Sequence, residues 1–215
     1  MDYEERYDFD NPGVAAANHN NSLVLNLTRF ADAACAVGTK TRPGTMFEYK
    51  TLDTAVLGWL IENATGMTAS AYMASRIWEP LGAELAGYFI MDGPPGTGRE
   101  FTGAGFNATL RDYARLGQMI LDGGVANGRR ILPADWVSQS TAPGYPETEA
   151  GGYGLQWWTV AHSNAFYAVG LRGQYIYIDP DSRTVLVKLS YFPPGNEIAG
   201  RESLAFMRAA SEWRP

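Results

Sequence analysis

The last third of the chain shows the hydrophobic pattern of a β-sheet. Runs of β-branched and aromatic residues favour half-buried strands, and four such runs predict four strands: residues 154–160, 166–169, 174–178 and 184–189. Residues 179–183, Asp-Pro-Asp-Ser-Arg, have the composition of a turn, so the last two strands are predicted to pair as a hairpin. Residues 197–213 predict an amphipathic helix that closes the sheet, with apolar positions at Ile198, Leu204, Phe206 and Met207.

Helical and loop patterns dominate the first 150 residues. Residues 52–60 have a helix-like composition and follow soon after a Pro-Gly turn at 43–44. Further along, Thr109 and Asp112 form a Ser/Thr-x-x-acid cap, which predicts the start of another helix. The face of this helix predicted to lie in the core carries Leu110, Tyr113, Ala114, Gly117 and Leu121. Residues 131–137 are predicted to start a short helix, with a proline near its first turn.

Length and composition favour one globular unit. The chain has 215 residues with 46% hydrophobic content, which is enough for one ordinary core. Regions 1–150 and 151–215 are therefore predicted to form helical and sheet layers of a single α/β (α+β) domain. The net charge of −6, from 17 basic and 23 acidic residues, argues against a nucleic-acid-binding surface. No run of 18 apolar residues occurs, so no membrane span is predicted.

The cysteine and histidine content excludes several kinds of site. Cys35 is the only cysteine, so the chain forms no internal disulfide and no thiolate metal cluster. Its small apolar neighbours favour a buried structural thiol over a nucleophile. His19 and His162 are far apart and lack ligand spacing, which argues against a zinc hydrolase or a Ser-His-Asp triad. No metal or organic cofactor is predicted.

Tyr49 is the residue whose position most suggests chemistry. The turn at 43–44 leads it to the start of the predicted helix, where a phenol could donate or accept a proton. Because the ordinary pKa of tyrosine is about 10, it would need a cationic neighbour to act as a base near neutral pH. An aromatic side chain after a turn also fits simple packing, and the residues alone leave both interpretations open.

The Tyr49-Lys50-Thr51 segment resembles the Tyr-x-Asn motif of the serine β-lactamase and penicillin-binding-protein superfamily. That superfamily includes class C β-lactamases, esterases and 6-aminohexanoate-dimer hydrolases. The resemblance implies a β-lactamase-like fold, an antiparallel sheet packed with helices plus a helical subdomain, with Tyr49 as proton shuttle. Thr51 stands where the family has asparagine and cannot offer both an amide donor and a carbonyl acceptor. This replacement favours a small-molecule ester or amide as substrate over a β-lactam.

Residues 170–175, Gly-Leu-Arg-Gly-Gln-Tyr, resemble the family's third motif, Lys-Thr-Gly or its variants. The resemblance implies that Gly173 lets a substrate approach the backbone and that the Gln174 N–H donates to the oxyanion. Arg172 becomes a possible anchor for a substrate carboxylate. Trp157 is a candidate lining residue of the cleft, since neighbouring strand residues face opposite ways. A glycine-bordered strand with a solvated arginine is the structural alternative.

The family nucleophile, the serine of a Ser-x-x-Lys motif, is not found in the 215 residues. The three lysines are Lys40, Lys50 and Lys188, and none has a serine three residues before it. Residues 1–12 resemble the acidic and aromatic stretch that follows the nucleophile helix in the family. We therefore expect the chain to correspond to the C-terminal two-thirds of a hydrolase, without the N-terminal strands and the nucleophile helix, and to be inactive alone.

Two alternatives to a truncated enzyme remain open from the sequence. One is a genuine short protein that has lost its catalytic half. The other is a non-catalytic module, or pseudoenzyme, that binds a ligand or peptide in the same cleft. If strands are missing, an exposed sheet edge predicts self-association.

Overall fold

The structure is a computed structural model that describes residues 1–7, 10–144, 151–193 and 196–213. Two residues of the N-terminal segment compared with the family, 8 and 9, lie outside this range. The chain divides into two compact units. Unit 1 consists of Met1–Ser75 and Gly87–Asn107, and unit 2 consists of Arg76–Ala86 and Ala108–Pro215.

Unit 1 is mainly helical, with one short hairpin. Its helices are α1 (Val14–His19), the π-helical turn Asn20–Val24, the 3-10 helix Phe30–Cys35, α2 (Thr51–Thr65) and α3 (Ala69–Met73). A further π-helical turn, Ala74–Trp78, begins at its boundary. Strands β1 (Tyr88–Phe89) and β2 (Phe106–Asn107) pair antiparallel. The core of unit 1 forms where α2 meets the 3-10 helix, with buried Phe30, Leu52, Ala55 and Phe101.

The first predicted helix is confirmed as α2, which extends beyond residue 60 to Thr65. It ends because Gly66 adopts a left-handed conformation, φ +66°, and its N–H caps the Glu62 carbonyl. At its other end Lys50 is extended, φ −140°, so the residue before it does not belong to the helix. Tyr49 is thereby placed directly before the first helical turn.

Unit 2 combines a four-stranded sheet with helices. Its helices are α4 (Glu79–Leu81), α5 (Leu110–Leu121), α6 (Trp136–Thr141) and α7 (Glu197–Glu212). Its strands are β3 (Val125–Ala126), β4 (Arg129–Arg130), β5 (Trp158–Thr159), β6 (Phe166–Gly170), β7 (Gln174–Asp179) and β8 (Thr184–Lys188). Strands β3 and β4 form a separate hairpin, and β5-β6-β7-β8 is the order of the larger sheet.

The larger sheet confirms the predicted antiparallel hairpin. Strand β7 pairs with β8 in a register that places Asp179 opposite Thr184 and Tyr175 opposite Lys188. The central strand β7 is buried along most of its length, and Ile178 is fully excluded from solvent. Because α5 packs on β7 and β8, and Met207 of α7 is buried among sheet side chains, the sheet has helices against it.

One predicted strand is shorter than expected. The run 154–160 forms a strand only at Trp158 and Thr159, because Gln156 has φ +69° and the Gly154 N–H donates to the Trp157 carbonyl. These features make a tight turn out of the first half of the run. The helix predicted to start within 131–137 is α6, which begins at Trp136. The Trp136 N–H donates to the Pro133 carbonyl in the preceding turn.

The predicted core faces of α5 and α7 are partly wrong. Leu110 is 47% exposed, whereas Met119 and Ile120 are buried together with the predicted Gly117. In α7, Ile198 and Phe206 are also exposed, so Leu204 and Met207 carry its packing. The Thr109 cap is confirmed, because its hydroxyl accepts the Asp112 N–H at 3.1 Å.

Cys35 is exposed, which corrects the expectation of a buried thiol. It is the last residue of a 3-10 helix in which Phe30 and Ala31 face the core. In the described ranges, none of the helices is long and apolar enough to cross a membrane.

Candidate active site

Tyr49 stands at the entrance of α2, as the sequence predicts. The turn before it is present, with Gly44 at φ +80° and the Thr45 hydroxyl donating to the Arg42 carbonyl at 2.6 Å. Tyr49 is 39% exposed, so its side chain is partly covered. Burial raises the pKa of the Tyr49 phenol, the Glu5 carboxylate raises it further, and a hydrogen bond with Thr51 lowers it. The phenol is therefore protonated at neutral pH.

Thr51 is joined to a second tyrosine that the sequence analysis missed. Thr51 is buried, and its hydroxyl lies 2.6 Å from the Tyr7 phenol oxygen. Tyr7 donates to the Glu5 carboxylate, which also accepts the Tyr3 phenol at 2.8 Å. Burial and this carboxylate raise the pKa of both Tyr3 and Tyr7. The alternation Tyr3-x-Glu5-x-Tyr7 is the sequence signal, but it does not reveal the contact with Thr51.

Lys50 is the nearest cation to Tyr49 along the chain, and it is engaged elsewhere. Its ammonium donates to the Tyr3 carbonyl, lies 3.5 Å from the Glu48 carboxylate and 4.7 Å from the Tyr3 ring centroid. The residue is buried, which holds the ammonium in this position. The influences on the Tyr49 pKa come from burial, Glu5 and Thr51, and none of them is a cation.

The third-motif residues form the turn that joins β6 to β7. Arg172 and Gly173 both have left-handed backbones, with φ +65° and φ +92°. A Cβ on Gly173 would lie 2.1 Å from Cε1 of Phe192 and 2.5 Å from Oγ of Ser190. Glycine is thus required at this position by conformation and by space. The side chains that come close to Gly173 are those of Ser190 and Phe192 from the same chain.

Gln174 begins β7 opposite Gly170. Its side-chain amide donates to the Ser190 carbonyl, so the side chain is used to fix the turn. The Arg172 guanidinium lies 4.6 Å from the ring centroid of Tyr191, which is 78% exposed. A guanidinium stacked on an exposed ring keeps donors that face solvent. The role of Arg172 as an anion anchor stays a prediction.

Two residues that the sequence did not point to, Lys188 and Ser190, form hydrogen bonds that support this turn. The Lys188 ammonium donates to Oγ of Ser190 at 2.5 Å, and that hydroxyl donates to the Gly173 carbonyl at 2.7 Å. Lys188 and Ser190 are two positions apart, and alternation along an extended chain places such residues on the same side. The Lys-x-Ser spacing could have indicated the pair, whereas the contact with Gly173 depends on strand pairing.

Trp157 and Trp158 are both half-buried. The Trp157 ring lies 5.2 Å from that of Phe166, and the Trp158 ring lies 4.8 Å from that of Tyr153. Each ring therefore packs edge-on against a different aromatic neighbour within unit 2. The contact with buried Phe166 anchors Trp157, and its role as a lining residue stays a prediction.

The predicted site residues fall into two groups. Tyr49 and Thr51 belong to unit 1, where the structure joins them to Tyr7 and Glu5. The other predicted site residues belong to unit 2: Trp157, Arg172, Gly173 and Gln174. Over the described ranges, no group of three or more His, Cys, Asp or Glu side chains has the arrangement of a metal site. The chemistry available here is that of a phenol, backbone donors and an arginine.

A sequence model of the β-lactamase family matches residues 5–205 of the chain. The chain is also 32% identical over 209 residues to the 6-aminohexanoate-dimer hydrolase of Paenarthrobacter ureafaciens. That match covers 90% of this chain and 52% of the relative. The chain therefore spans about half the length of the curated relative.

Solved structures with the same fold include a candidate 6-aminohexanoate-dimer hydrolase from Bacillus anthracis. It is 34% identical, with a TM-score of 0.70, and the match covers 80% of this chain and 46% of that one. A β-lactamase from Mycobacterium bovis is 19% identical with a TM-score of 0.61, covering 90% and 72% of the two chains, and shows the fold alone. The predicted β-lactamase-like fold is confirmed. Since the family model extends over nearly the whole chain, this protein belongs to the β-lactamase family.

Proposed function

We propose that the protein is a serine hydrolase that cleaves a small-molecule ester or amide through an acyl-enzyme. The observation that supports this most directly is the protonated, partly exposed Tyr49 phenol at the start of α2. A phenol in this state can donate a proton to a leaving group, and beside a cation it can accept one. The similarity to hydrolases that cleave the 6-aminohexanoate dimer supports the same class of reaction.

In the proposed reaction, the oxygen of a serine attacks the carbonyl carbon of the substrate and the bond to the alcohol or amine breaks. The serine proton passes through Tyr49 to the leaving group, and water then releases the acid from the acyl-enzyme. The serine's own N–H is assigned to the oxyanion, because the Gln174 N–H is held in the strand pairing with Gly170. The serine and its lysine partner belong to the Ser-x-x-Lys motif, which the 215 residues do not contain. We propose that a segment outside these residues supplies it.

Thr51 and Arg172 favour a linear substrate over a β-lactam. The Thr51 hydroxyl is hydrogen-bonded with the Tyr7 phenol. Unlike the asparagine of the family motif, threonine has no side-chain amide to offer a β-lactam. The Arg172 guanidinium, stacked on exposed Tyr191, is a suitable partner for a carboxylate. We infer a substrate whose acyl or leaving group carries a free carboxylate, with Trp157 along its apolar part.

The experiment compares two proteins, the 215-residue chain and the product of the reading frame extended upstream of Met1. We expect the chain alone to leave p-nitrophenyl esters and linear amides intact, and an extended product with a Ser-x-x-Lys motif to hydrolyse them. In that product, Tyr49→Phe is expected to lower kcat about 10²–10⁴-fold. Tyr88→Phe, an exposed phenol of the same unit, is the matched control with unchanged rates.

Two outcomes would contradict the proposal. One is ester hydrolysis by the 215-residue chain that disappears in Tyr49→Phe. The other is an in-frame stop codon directly before Met1, together with ligand binding and no turnover, which would favour the non-catalytic module.

A further inference from the structure

We propose that Thr51, Tyr7 and Glu5 form a proton relay that takes up the hydroxyl proton of Tyr49 while Tyr49 receives the proton of the serine. This inference rests on the proposed function, in which Tyr49 carries the serine proton to the leaving group. The three residues act through Tyr49 and are not expected to touch substrate, so they are positioning residues. All four belong to unit 1.

The Glu5 carboxylate fixes one end of the hydrogen-bond chain. An ionised carboxylate has acceptors and no donor, so Tyr3 and Tyr7 must each donate a phenol proton to it. The Tyr3 phenol oxygen lies 2.8 Å from Oε2, and the Tyr7 phenol donates to Oε1. Burial and then the hydrogen bond to Glu5 raise the pKa of both phenols, so both are protonated at neutral pH.

The direction of the next bonds follows from the single proton of each hydroxyl. Because the Tyr7 proton is used on Glu5, the Tyr7 oxygen can only accept across its 2.6 Å separation from Oγ1 of Thr51. Thr51 therefore donates to Tyr7, and its oxygen is left with acceptor sites alone. The protonated Tyr49 phenol, which is hydrogen-bonded with Thr51, must then be the donor in that pair.

A chain with this direction allows Tyr49 to accept a proton although the influences on its pKa do not include a cation. As the serine proton reaches the Tyr49 oxygen, the Tyr49 proton moves to Thr51. The Thr51 proton moves to Tyr7, and the Tyr7 proton moves to the Glu5 carboxylate, whose negative charge it neutralises. Tyr49 thus keeps one proton throughout, and the proton it now holds is the one from the serine.

The relay runs backwards when the leaving group departs. Tyr49 gives the serine proton to the alcohol or amine and takes back a proton from Thr51. Thr51 in turn receives one from Tyr7, and Tyr7 receives one from Glu5, so the carboxylate regains its charge. The sum of both halves is the transfer of one proton from the serine to the leaving group, as the proposed reaction requires.

The packing of unit 1 holds the relay in place. The buried Lys50 ammonium donates to the Tyr3 carbonyl and lies 4.7 Å from the Tyr3 ring centroid, which anchors the N-terminal segment. Burial of Thr51 shields its hydroxyl from water. The Tyr7 ring meets the His19 ring edge-on, with 5.1 Å between the centroids. Tyr7→Phe therefore removes one hydroxyl and keeps the ring contact.

The first experiment measures the direction of the chain in the 215-residue protein. 3-Fluorotyrosine replaces Tyr49 in every sample, and its single ¹⁹F resonance reports the pH at which that phenol ionises. We expect a lower pKa of this phenol in Tyr7→Phe, because the freed Thr51 proton can then turn to the phenolate. We expect a higher pKa in Thr51→Val, which removes that donor. Tyr88→Phe, an exposed phenol of the same unit, is the matched control with an unchanged pKa.

The second experiment measures hydrolysis of linear amides and p-nitrophenyl esters by the protein from the complete reading frame. Because general acid–base catalysis contributes about 10²–10⁴-fold, Glu5→Gln and Tyr7→Phe should each lower kcat by about tenfold or more, with KM changed less than about twofold. The double variant should be no slower than the slower single variant, since both changes break one chain. Thr51→Ser should keep most of the rate, and Glu4→Gln, an exposed neighbour, should keep all of it.

The pH profile provides a readout that a merely structural role would not change. Below the pKa of Glu5 the relay has no acceptor, so kcat should fall at acid pH, and this acid limb should disappear in Glu5→Gln and in Tyr7→Phe. A structural role would instead lower the amount of folded protein and leave the pH profile of the folded fraction unchanged.

The results separate this inference from the proposed function. An unchanged or higher Tyr49 pKa in Tyr7→Phe would overturn the direction of the chain. Additive losses of kcat in the double variant, or an unchanged acid limb, would overturn the relay. If the unmodified protein cleaves neither esters nor amides, the proposed function fails, and the ¹⁹F titration still decides whether Tyr49 donates to Thr51.

Discussion

At the scale of single residues, Asp92 is the clearest example of a polar group that holds unit 1 together. Its carboxylate is buried and accepts the Phe30 N–H at 2.6 Å and the Arg99 N–H at 2.7 Å. Arg29 also reaches it, with Nη1 3.3 Å from Oδ1. One carboxylate thus joins two distant loops, since it satisfies two backbone donors and a guanidinium.

We expect Asp92→Asn to lower the free energy of unfolding by about 3–5 kcal/mol. Asparagine has only one acceptor oxygen, so its NH₂ group would face one of the two backbone N–H donors. The Arg29 guanidinium would also lose its counter-charge. Urea denaturation measures the change. The matched control is Asp32→Asn, because Asp32 pairs with Arg99 at 2.7 Å but is half-exposed, and should cost less than about 1 kcal/mol. Equal costs for the two variants would contradict the interpretation.

At the scale of elements, the packing of α5 on the sheet depends on one glycine. A Cβ on Gly117 would lie 2.6 Å from Cγ1 of Val185 and 3.1 Å from Cγ2 of Ile176. The helix can therefore approach β7 and β8 closely only where no side chain intervenes. Gly200 of α7 has more room, since its Cβ would meet Oη of Tyr175 at 3.7 Å.

Gly117→Ala is expected to destabilise the protein by about 1–2 kcal/mol. Overpacking costs about 1–3 kcal/mol, which exceeds the gain of up to about 1 kcal/mol in helix propensity. Gly200→Ala should be stabilising by up to about 1 kcal/mol, because it gains the propensity without the clash. Thermal unfolding of both variants checks the difference in sign. Addition of Val185→Ala to Gly117→Ala should recover part of the loss, and further destabilisation instead would argue against a steric cause.

Local sequence patterns predicted the β7–β8 hairpin better than the buried face of α5. The turn residues at 179–183 and the runs on either side predicted the β7–β8 hairpin, because turn chemistry and strand propensity act between neighbours. The buried face of α5 was only partly predictable. Asp112 is fully buried because it accepts the N–H groups of Glu84 and Leu85, at 2.7 and 3.3 Å. A polar residue buried by a remote partner has no signal in helical periodicity.

The stability of the whole molecule should depend on pH through two carboxyl groups. Burial, then a hydrogen bond and repulsion from Glu100, raise the pKa of Glu62 from 4.5 to about 7. Glu100 stays ionised because it accepts the Ser70 hydroxyl at 2.6 Å, so its pKa is lowered. Between pH 4.5 and about 7 the folded protein therefore holds a proton on Glu62 that the unfolded chain has released.

It follows that the Glu62 contribution to stability is fully present below pH 4.5 and is lost as the pH rises through about 7. We expect Glu62→Gln to reduce this decline, because the amide keeps the hydrogen bond and cannot ionise. Urea denaturation at a series of pH values measures the slope. Glu4→Gln, an exposed residue of the same unit, should leave it unchanged. If the stability of Glu62→Gln declined more steeply with rising pH than that of the unmodified protein, the proton would not be held by Glu62.

Self-association is a further prediction for the 215-residue chain. Within the described residues, β5 and β8 are the outer strands of the four-stranded sheet. An outer strand with unpaired backbone groups can join the strand of another copy. Sedimentation velocity should show an average mass that increases with concentration. A single monomeric species over the whole concentration range would contradict the prediction.

Local sequence patterns were enough to predict the family resemblance, the helix that follows Tyr49 and the hairpin whose first strand begins at Gln174. These features depend on turn residues, strand propensity and short motifs, which act over a few neighbouring positions. The contacts of Tyr7 with Thr51, of Asp92 with Phe30 and of Ser190 with Gly173 became visible only in the folded chain. Their partners are 44, 62 and 17 positions apart, and such pairs form only when packing fixes both segments. These long-range pairs could therefore not be inferred from local pattern.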